Sequence, residues 1–357
     1  MLLTATTLRH LAAALALGLS AAAVASPPAP RRAAEAAARV PYGDREEVLR
    51  FVDDVARRHD LDSAWVERQL RRARFVPAVT RLILPPPAGV PKDWAAYRAR
   101  FVEPQRLQAG VAFWQANEQA LGRAESRFGV PAALVVGIIG VETFYGRVTG
   151  DYKVVDALAT LAFDFPRTAP RDRSAFFRDE LEQLLVWAAR EGLDPQTVRG
   201  SFAGAIGLPQ FMPGSILRHA VDFDGDGRID LLGSAADAIG SVASFLVAHG
   251  WQPGLATHHA VVPPPPGADR TVLLGPDIVP SFTAAQFAER GATLDDAGRA
   301  HDGLLALVEL DNGGAPPSHV AGTQNFFVVT RYNRSSYYAL GVIELGAAVA
   351  RARDAAR

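Results

Sequence analysis

The sequence predicts a mainly α (α+β) protein, a helical body that carries a small β-containing insertion. Three observations point there. Apolar residues recur at helical spacing through most of the chain up to Gly250. Between about Thr257 and Thr323 the pattern shortens to strand-like runs divided by Gly and Pro. The chain has 357 residues, 49% of them hydrophobic, which supports two or three packed units.

Taken in order, the chain opens on an export pattern. Arg9 and His10 form a short basic region, Leu11 to Leu19 is apolar, and Ala23-Val24-Ala25 is the small-x-small pattern before a cleavage point at Ser26. The alternative is a membrane anchor, for which the alanine-rich second half is weak. Ser26 to Pro41, rich in Ala, Pro and Arg, reads as a linker. Helical pattern runs from Asp44 to about Arg74, with Val48, Phe51, Val52 and Val55 on one face. Pro85-Pro86-Pro87 breaks it. Trp94 to Phe101 and Phe113 to Phe128 read as helices, and Val130-Pro131 opens a strongly apolar one. Phe176 to Ala189 is amphipathic. Ser201 to Ser215, punctuated by Gly204, Gly207, Pro209 and Pro213, reads as a shaped surface. Ala236 to Ala248 is helical. Thr271 to Leu274 and Leu304 to Leu310 read as strands, Phe326 to Arg331 as extended, and Ser335 or Ser336 as the cap of a final helix.

Composition removes several functions. Thirty-seven basic residues face 38 acidic ones, so no bulk charge favours nucleic acid or an anionic membrane. There is no cysteine, hence no disulfide, thiol catalysis, Cys-ligated zinc or lipid attachment through an N-terminal cysteine.

The most informative segment is LVVGIIGVETFYGRVTG, Leu134 to Gly150. Between Val130 and Tyr145 its one charged residue is Glu142. On a continuous helix the neighbours of Glu142 would be Ile138, Ile139, Tyr145 and Gly146. An apolar surrounding favours the neutral acid, which can deliver a proton to a glycosidic oxygen. A structural glutamate paired to a base or a backbone amide is the competing reading.

A second pattern is Asp222-Phe-Asp224-Gly-Asp226-Gly-Arg228-Ile-Asp230. Its carboxylates stand at positions 1, 3, 5 and 9 of an EF-hand-like loop, with glycine at position 6 and the Arg228 carbonyl at position 7. Such spacing folds oxygen donors around one hard cation, and calcium is expected as a structural ion, with no organic cofactor. Position 12 is Gly233, not Glu. Asp237, at the start of the next helix, is the candidate to close the shell.

Together these segments resemble the lytic murein transglycosylase B family. IIGVETFYGRVTG, DALATLAFDFPR, GSFAGAIGLPQFMPGS, AVDFDGDGRIDLL, AIGSVASFLVAHGW and VTRYNRSSYYAL follow the family's order and spacing, from about Trp94 to Leu345. The resemblance implies a lysozyme-like helical core with a flanking helical domain and a small β domain. Its domains would be a signal peptide over 1–25, a linker over 26–43, a helical domain over 44–115 and the catalytic core with its EF-hand-like loop over 116–256. A β-containing domain over 257–323 and a return to the core over 324–357 would follow. It implies cleavage between N-acetylmuramic acid and N-acetylglucosamine, with Glu142 as acid and base. Ser201, Gln210, Phe211, Tyr332, Asn333 and Tyr338 would line the sugar cleft.

From the residues alone, Phe211, Tyr332 and Tyr338 suit a core equally well, Ser201 a helix cap and Asn333 a turn. Three departures stand out: Phe245 where relatives often have Tyr, one residue inserted between Asp230 and Asp237, and no cysteine where many relatives are lipoproteins. The expected product is a periplasmic protein, soluble after cleavage and monomeric. It would act on peptidoglycan glycan strands, with other cell-wall enzymes as further partners and no nucleic acid. A hydrolytic muramidase and a non-catalytic peptidoglycan-binding protein are the alternatives. The first needs a second carboxylate and the second needs no acid at 142.

Overall fold

The computed structural model describes residues 41–85, 89 and 91–356. The expected signal peptide and most of the expected linker lie outside the described residues. The rest of the chain forms two compact units.

Of the described residues, the larger unit holds 41–85 and 89, Phe101–Ala248 and 345–356. It is helical. Its helices are α1 (Glu46–His59), α2 (Ser63–Arg72), α3 (Pro77–Leu82), and then, after Arg100, α5 (Pro104–Ala116), α6 (Glu118–Phe128) and α7 (Ala132–Thr143). The short strand β1 (Tyr152–Lys153) leads into α8 (Val154–Phe163) and α9 (Ser174–Glu191). Strand β2 (Arg199–Gly200), α10 (Pro213–His219) and α11 (Ala235–Ala248) complete the series.

The helix pattern expected from Asp44 to Arg74 is two helices. Asp60 takes a left-handed conformation at the end of α1, and the Asp62 carboxylate caps α2 by accepting from the Ala64 N–H at 3.0 Å. Folding starts at Tyr42, inside the stretch expected as a linker. That ring is 2% exposed, and its hydroxyl donates to Asp164 at 2.8 Å. Phe113 to Phe128, expected as one helix, breaks at Asn117, whose side-chain amide donates to the Phe113 carbonyl. The helix before that break starts earlier, at Pro104, because Glu103 accepts from the Gln105 and Arg106 N–H groups.

Helix α7 is buried on every side, with Val135, Val136, Ile138 and Ile139 at zero exposure. Each such side chain stabilises the fold by about 1.5–3 kcal/mol relative to leaving it exposed. That burial, not amphipathicity, explains a helix that is apolar all round.

The smaller unit comprises Pro91–Arg100 and His249–Glu344. It contains α4 (Trp94–Ala99) and the strands β3 (His258–Val262), β4 (Thr293–Leu294), β5 (Ala306–Asn312) and β6 (Ala315–Gly322). These strands form an antiparallel sheet in the order β4-β3-β6-β5. Leu273, Phe287, Leu294, Leu305, Leu307 and Ala321 make its core. Helices α12 (Ala268–Leu274), α13 (Ala284–Glu289), α14 (Asp296–Arg299) and α15 (Gln324–Thr330) lie around these strands in sequence. The last helix, α16 (Ser336–Ala355), begins here.

Two strand readings are corrected. Thr271 to Leu274 is the end of α12: Leu273 is buried while Val272 is 45% exposed, a one-sided helical face. Phe326 to Arg331 is not extended; most of it belongs to α15, which the Thr323 hydroxyl caps by accepting from the Asn325 N–H at 3.1 Å. In both, a short apolar run fits a buried helix as well as a strand. Ser335 does cap α16, its hydroxyl accepting from the Tyr338 N–H.

Candidate active site

Glu142 is the last residue but one of α7 and is 8% exposed. The helix does not continue through it as the spacing suggested. Phe144 and Tyr145 both adopt left-handed backbone, with φ of 52° and 58°. The Phe144 N–H returns to the Gly140 carbonyl at 3.2 Å, and the Tyr145 N–H to that of Ile139 at 3.4 Å. Two successive non-glycine residues in this region store strain of order 1–3 kcal/mol each, a cost that collects at functional sites. Tyr145 and Gly146 are therefore not helical neighbours of the acid.

Thr143, which sequence reasoning passed over, ties this turn to the glycine-rich segment. Its hydroxyl lies 3.2 Å from the Ile139 carbonyl and 3.0 Å from that of Leu208, and it accepts from the Gly146 N–H at 3.1 Å. A buried hydroxyl directly after the acid was the available signal.

Ser201 to Ser215 is a looped surface, as its glycines suggested. The Ser201 hydroxyl accepts from the Ala205 N–H at 3.0 Å, and Ile206 pairs with Phe211. At Gly207 φ is 73°, and a Cβ would stand 2.3 Å from the Leu231 carbonyl oxygen, so only glycine fits. Gln210, with φ of 49°, donates its side-chain amide to the Thr149 and Gly207 carbonyls at 3.1 and 3.0 Å. Thr143 and Gln210 thus stitch the loop to the chain on either side of the acid's turn.

Phe211 is a core ring, 2% exposed and 5.6 Å from Phe245. Tyr332, Asn333 and Tyr338 belong to the smaller unit. There Tyr332 stacks on Tyr338 at 6.2 Å with 16° between the planes. Tyr338 is 1% exposed and Asn333 is buried, which leaves Tyr332 as the more accessible ring.

The other buried acids of the larger unit have structural duties. Asp156 accepts from the Arg74 N–H, and Glu182 binds Arg58 and His59. Glu180 accepts from the Gly214 N–H, and Asp237 serves the acidic loop. Burial raises both Asp156 and Glu180 above the usual carboxylate range, opposed by those backbone donors.

In the acidic loop, carboxylate oxygens of Asp222, Asp224 and Asp237 converge within 4.8 Å of one another. Asp237 is 1% exposed and organises the loop by accepting from the N–H groups of Phe223, Asp224 and Asp230. Asp226 and Asp230 stand outside this cluster. Asp226 accepts from the Arg228 N–H, and Asp230 from those of Leu232 and Gly233. A convergent all-oxygen donor set suits a hard cation.

A helical body, a buried acid at the end of an apolar helix and a loop stitched beside it describe a lysozyme-like protein. Residues 43–347 match the transglycosylase SLT domain model, and the chain belongs to that family. It is 38% identical over 323 residues to membrane-bound lytic murein transglycosylase B of Escherichia coli K12, covering 87% of this chain and 85% of that one. Among solved structures it is similar to the E. coli lytic transglycosylase SLT35 in complex with calcium. The TM-score is 0.77, with 39% identity and coverage of 87% of this chain and 95% of that one. SltB3 of Pseudomonas aeruginosa, in complex with NAG-anhNAM-pentapeptide, aligns with a TM-score of 0.67 and 27% identity, covering 84% and 78%.

Proposed function

We propose that this enzyme is a peptidoglycan lytic transglycosylase. It cleaves the bond between N-acetylmuramic acid and N-acetylglucosamine without water, with Glu142 acting as acid and then as base. The observation that carries the reading is the placement of Glu142, buried at the end of the apolar helix where the strained turn is tied to the glycine-rich loop. A hydrolase would need a second carboxylate opposite the acid.

With one carboxyl group the chemistry uses the substrate's own atoms. Glu142 gives its proton to the glycosidic oxygen as the bond to C1 breaks, and the leaving sugar departs with a free hydroxyl. The N-acetyl group of the muramoyl sugar stabilises the positive centre, as in substrate-assisted glycosidases. Glu142, now a carboxylate, takes the proton of the C6 hydroxyl, whose oxygen bonds to C1 within the same ring. Ring closure is favoured because the nucleophile is already attached, at high effective concentration. The acid ends reprotonated, and the product carries a 1,6-anhydro bridge. That an SltB3 structure holds an anhydromuramoyl ligand supports this outcome.

Ser201, Gln210 and Phe211 of the larger unit, and Tyr332, Asn333 and Tyr338 of the smaller one, are the proposed sugar-binding residues; each set would offer hydroxyl or amide groups and an aromatic ring suited to a sugar. Calcium would be held by Asp222, Asp224 and Asp237, with Asp226, Asp230 and the Arg228 carbonyl as further candidates. It would supply fixed positive charge that neutralises the loop. The site of action would be the periplasm, reached through the N-terminal export pattern. Among the described residues no single helix is long and apolar enough to cross a membrane. Mass analysis of fragments released from purified sacculi tests the reading: anhydromuramoyl ends support it, and reducing muramoyl ends refute it.

A further inference from the structure

Arg106 is the single charged residue of α5, and it is buried, 7% exposed. Among the described residues it makes no ion pair with a carboxylate. One guanidinium N–H donates to the Gly140 carbonyl, and Nε meets no partner. Burial is the main influence on this group and pulls its proton affinity down. A buried, unpaired cation is expensive, and a well-packed apolar side chain would fill the same space at less cost. Stability alone does not account for an arginine here.

Its surroundings suggest what does. The guanidinium lies 4.3 Å from the centroid of the Phe144 ring and 5.2 Å from that of Phe101. Arg147 covers Phe144 as well, at 4.7 Å. Phe144 is the first of the two left-handed residues that end α7, two positions after Glu142. Gly140, two positions before Glu142, offers the carbonyl that receives both the Phe144 N–H and Arg106. Arg106 therefore grips the chain on both sides of Glu142, by a hydrogen bond before it and a cation–π contact after it. Its positive charge also faces the carbonyl end of α7, where the helix dipole is negative.

We infer that Arg106 is a positioning residue for the acid: it clamps the strained Phe144 turn to Gly140 and so fixes the direction in which Glu142 points. It touches no reacting atom. The role rests on Glu142 being the catalytic acid, as proposed above. A misplaced acid costs far more in the transition state than in substrate binding, because proton transfer depends steeply on geometry.

The test is steady-state kinetics of the full-length enzyme on a soluble, peptide-bearing murein oligosaccharide, with melting temperatures measured alongside. Arg106→Met fills the space but has neither donor nor charge. Expected is a folded variant with kcat lower by at least about tenfold and KM within about twofold of the parent. Arg106→Lys keeps charge and donor and should be faster than Arg106→Met by about threefold or more. A folded Arg106→Met with parental kcat, a KM that rises in step with the loss of kcat, or a lysine variant no faster than methionine would each overturn the role.

Should Arg106→Met fail to fold, Phe144→Leu decides, since it keeps the guanidinium and removes the ring beneath it. A lower kcat at unchanged KM is expected, and parental kcat overturns the role. A parent enzyme that leaves the oligosaccharide intact would refute the proposed reaction instead. An active parent beside a fully active Arg106→Met refutes the positioning role alone.

Discussion

The hydroxyl of Tyr145 rests against Gly140: a Cβ on that glycine would stand 2.5 Å from the tyrosine oxygen and 2.7 Å from Cζ. The left-handed turn after Glu142 folds this ring back onto its own helix, and only a residue without a side chain leaves room for it. Gly110 of α5 faces the same hydroxyl at the same distance. The acid's turn is thus packed on two glycines.

Gly140→Ala should lower stability by about 1–3 kcal/mol despite alanine's better helix propensity, because the ring must move. A Cβ at Gly122, in the middle of α6, would meet nothing within 4 Å. Gly122→Ala should raise stability by about 0.5–1 kcal/mol. Urea unfolding of the two variants checks the pair, and the same sign for both would contradict the packing described.

Calcium should raise the melting temperature, since a ligand bound only by the native state stabilises it by mass action. Asp224→Ala should blunt that response and leave the metal-free protein near its parental stability. Asp237→Ala should also melt lower in chelator, because three backbone N–H groups lose their acceptor. A parent protein that melts at the same temperature in chelator and in excess calcium would remove the ion from the loop.

Burial holds the Glu180 carboxyl above its ordinary value, opposed by the Gly214 N–H at 2.7 Å and by Arg218. A folded-state value above the unfolded one means that folding disfavours ionisation. The group's contribution to stability is full at acid pH and is lost as pH rises through the folded value. Glu180→Gln cannot ionise. The melting temperature of Glu180→Gln minus that of the parent should therefore grow more positive between about pH 4 and about pH 7. A difference that stays constant or shrinks would show the carboxylate to be welcome where it is.

Glu142→Gln keeps the shape of the side chain and cannot deliver a proton. It should fold, melt near the parent and lose activity by at least about a hundredfold, the scale of general acid–base catalysis. Turnover close to parental would make Glu142 a structural residue.

Much of this was legible in the sequence, and the failures share a cause. Glu142 announced itself as the one charge in an apolar run, and the aspartate spacing announced the acidic loop. Ser335 was readable as a cap because capping is local chemistry. Phe326 to Arg331 was misread because five apolar or β-branched residues in a row look like a strand until Thr323 is recognised as an N-cap. The turn at Phe144 and Tyr145 was invisible, since left-handed backbone is expected at glycine and these are aromatic. Among the groups packed on it is Arg106, distant in sequence. Asp226 and Asp230 fit the EF-hand spacing too, and in the fold their carboxylates accept nearby backbone N–H groups, as those of Asp222 and Asp224 do.

The central claim is cleavage by one carboxyl group without water, and digestion of purified murein in water enriched in heavy oxygen tests it most directly. The C6 hydroxyl supplies the oxygen that closes on C1, so the released muramoyl ends should be 1,6-anhydro sugars free of solvent oxygen and lighter than hydrolysis products by one water. Reducing muramoyl ends that carry heavy oxygen at C1 would contradict it and make the enzyme a hydrolase.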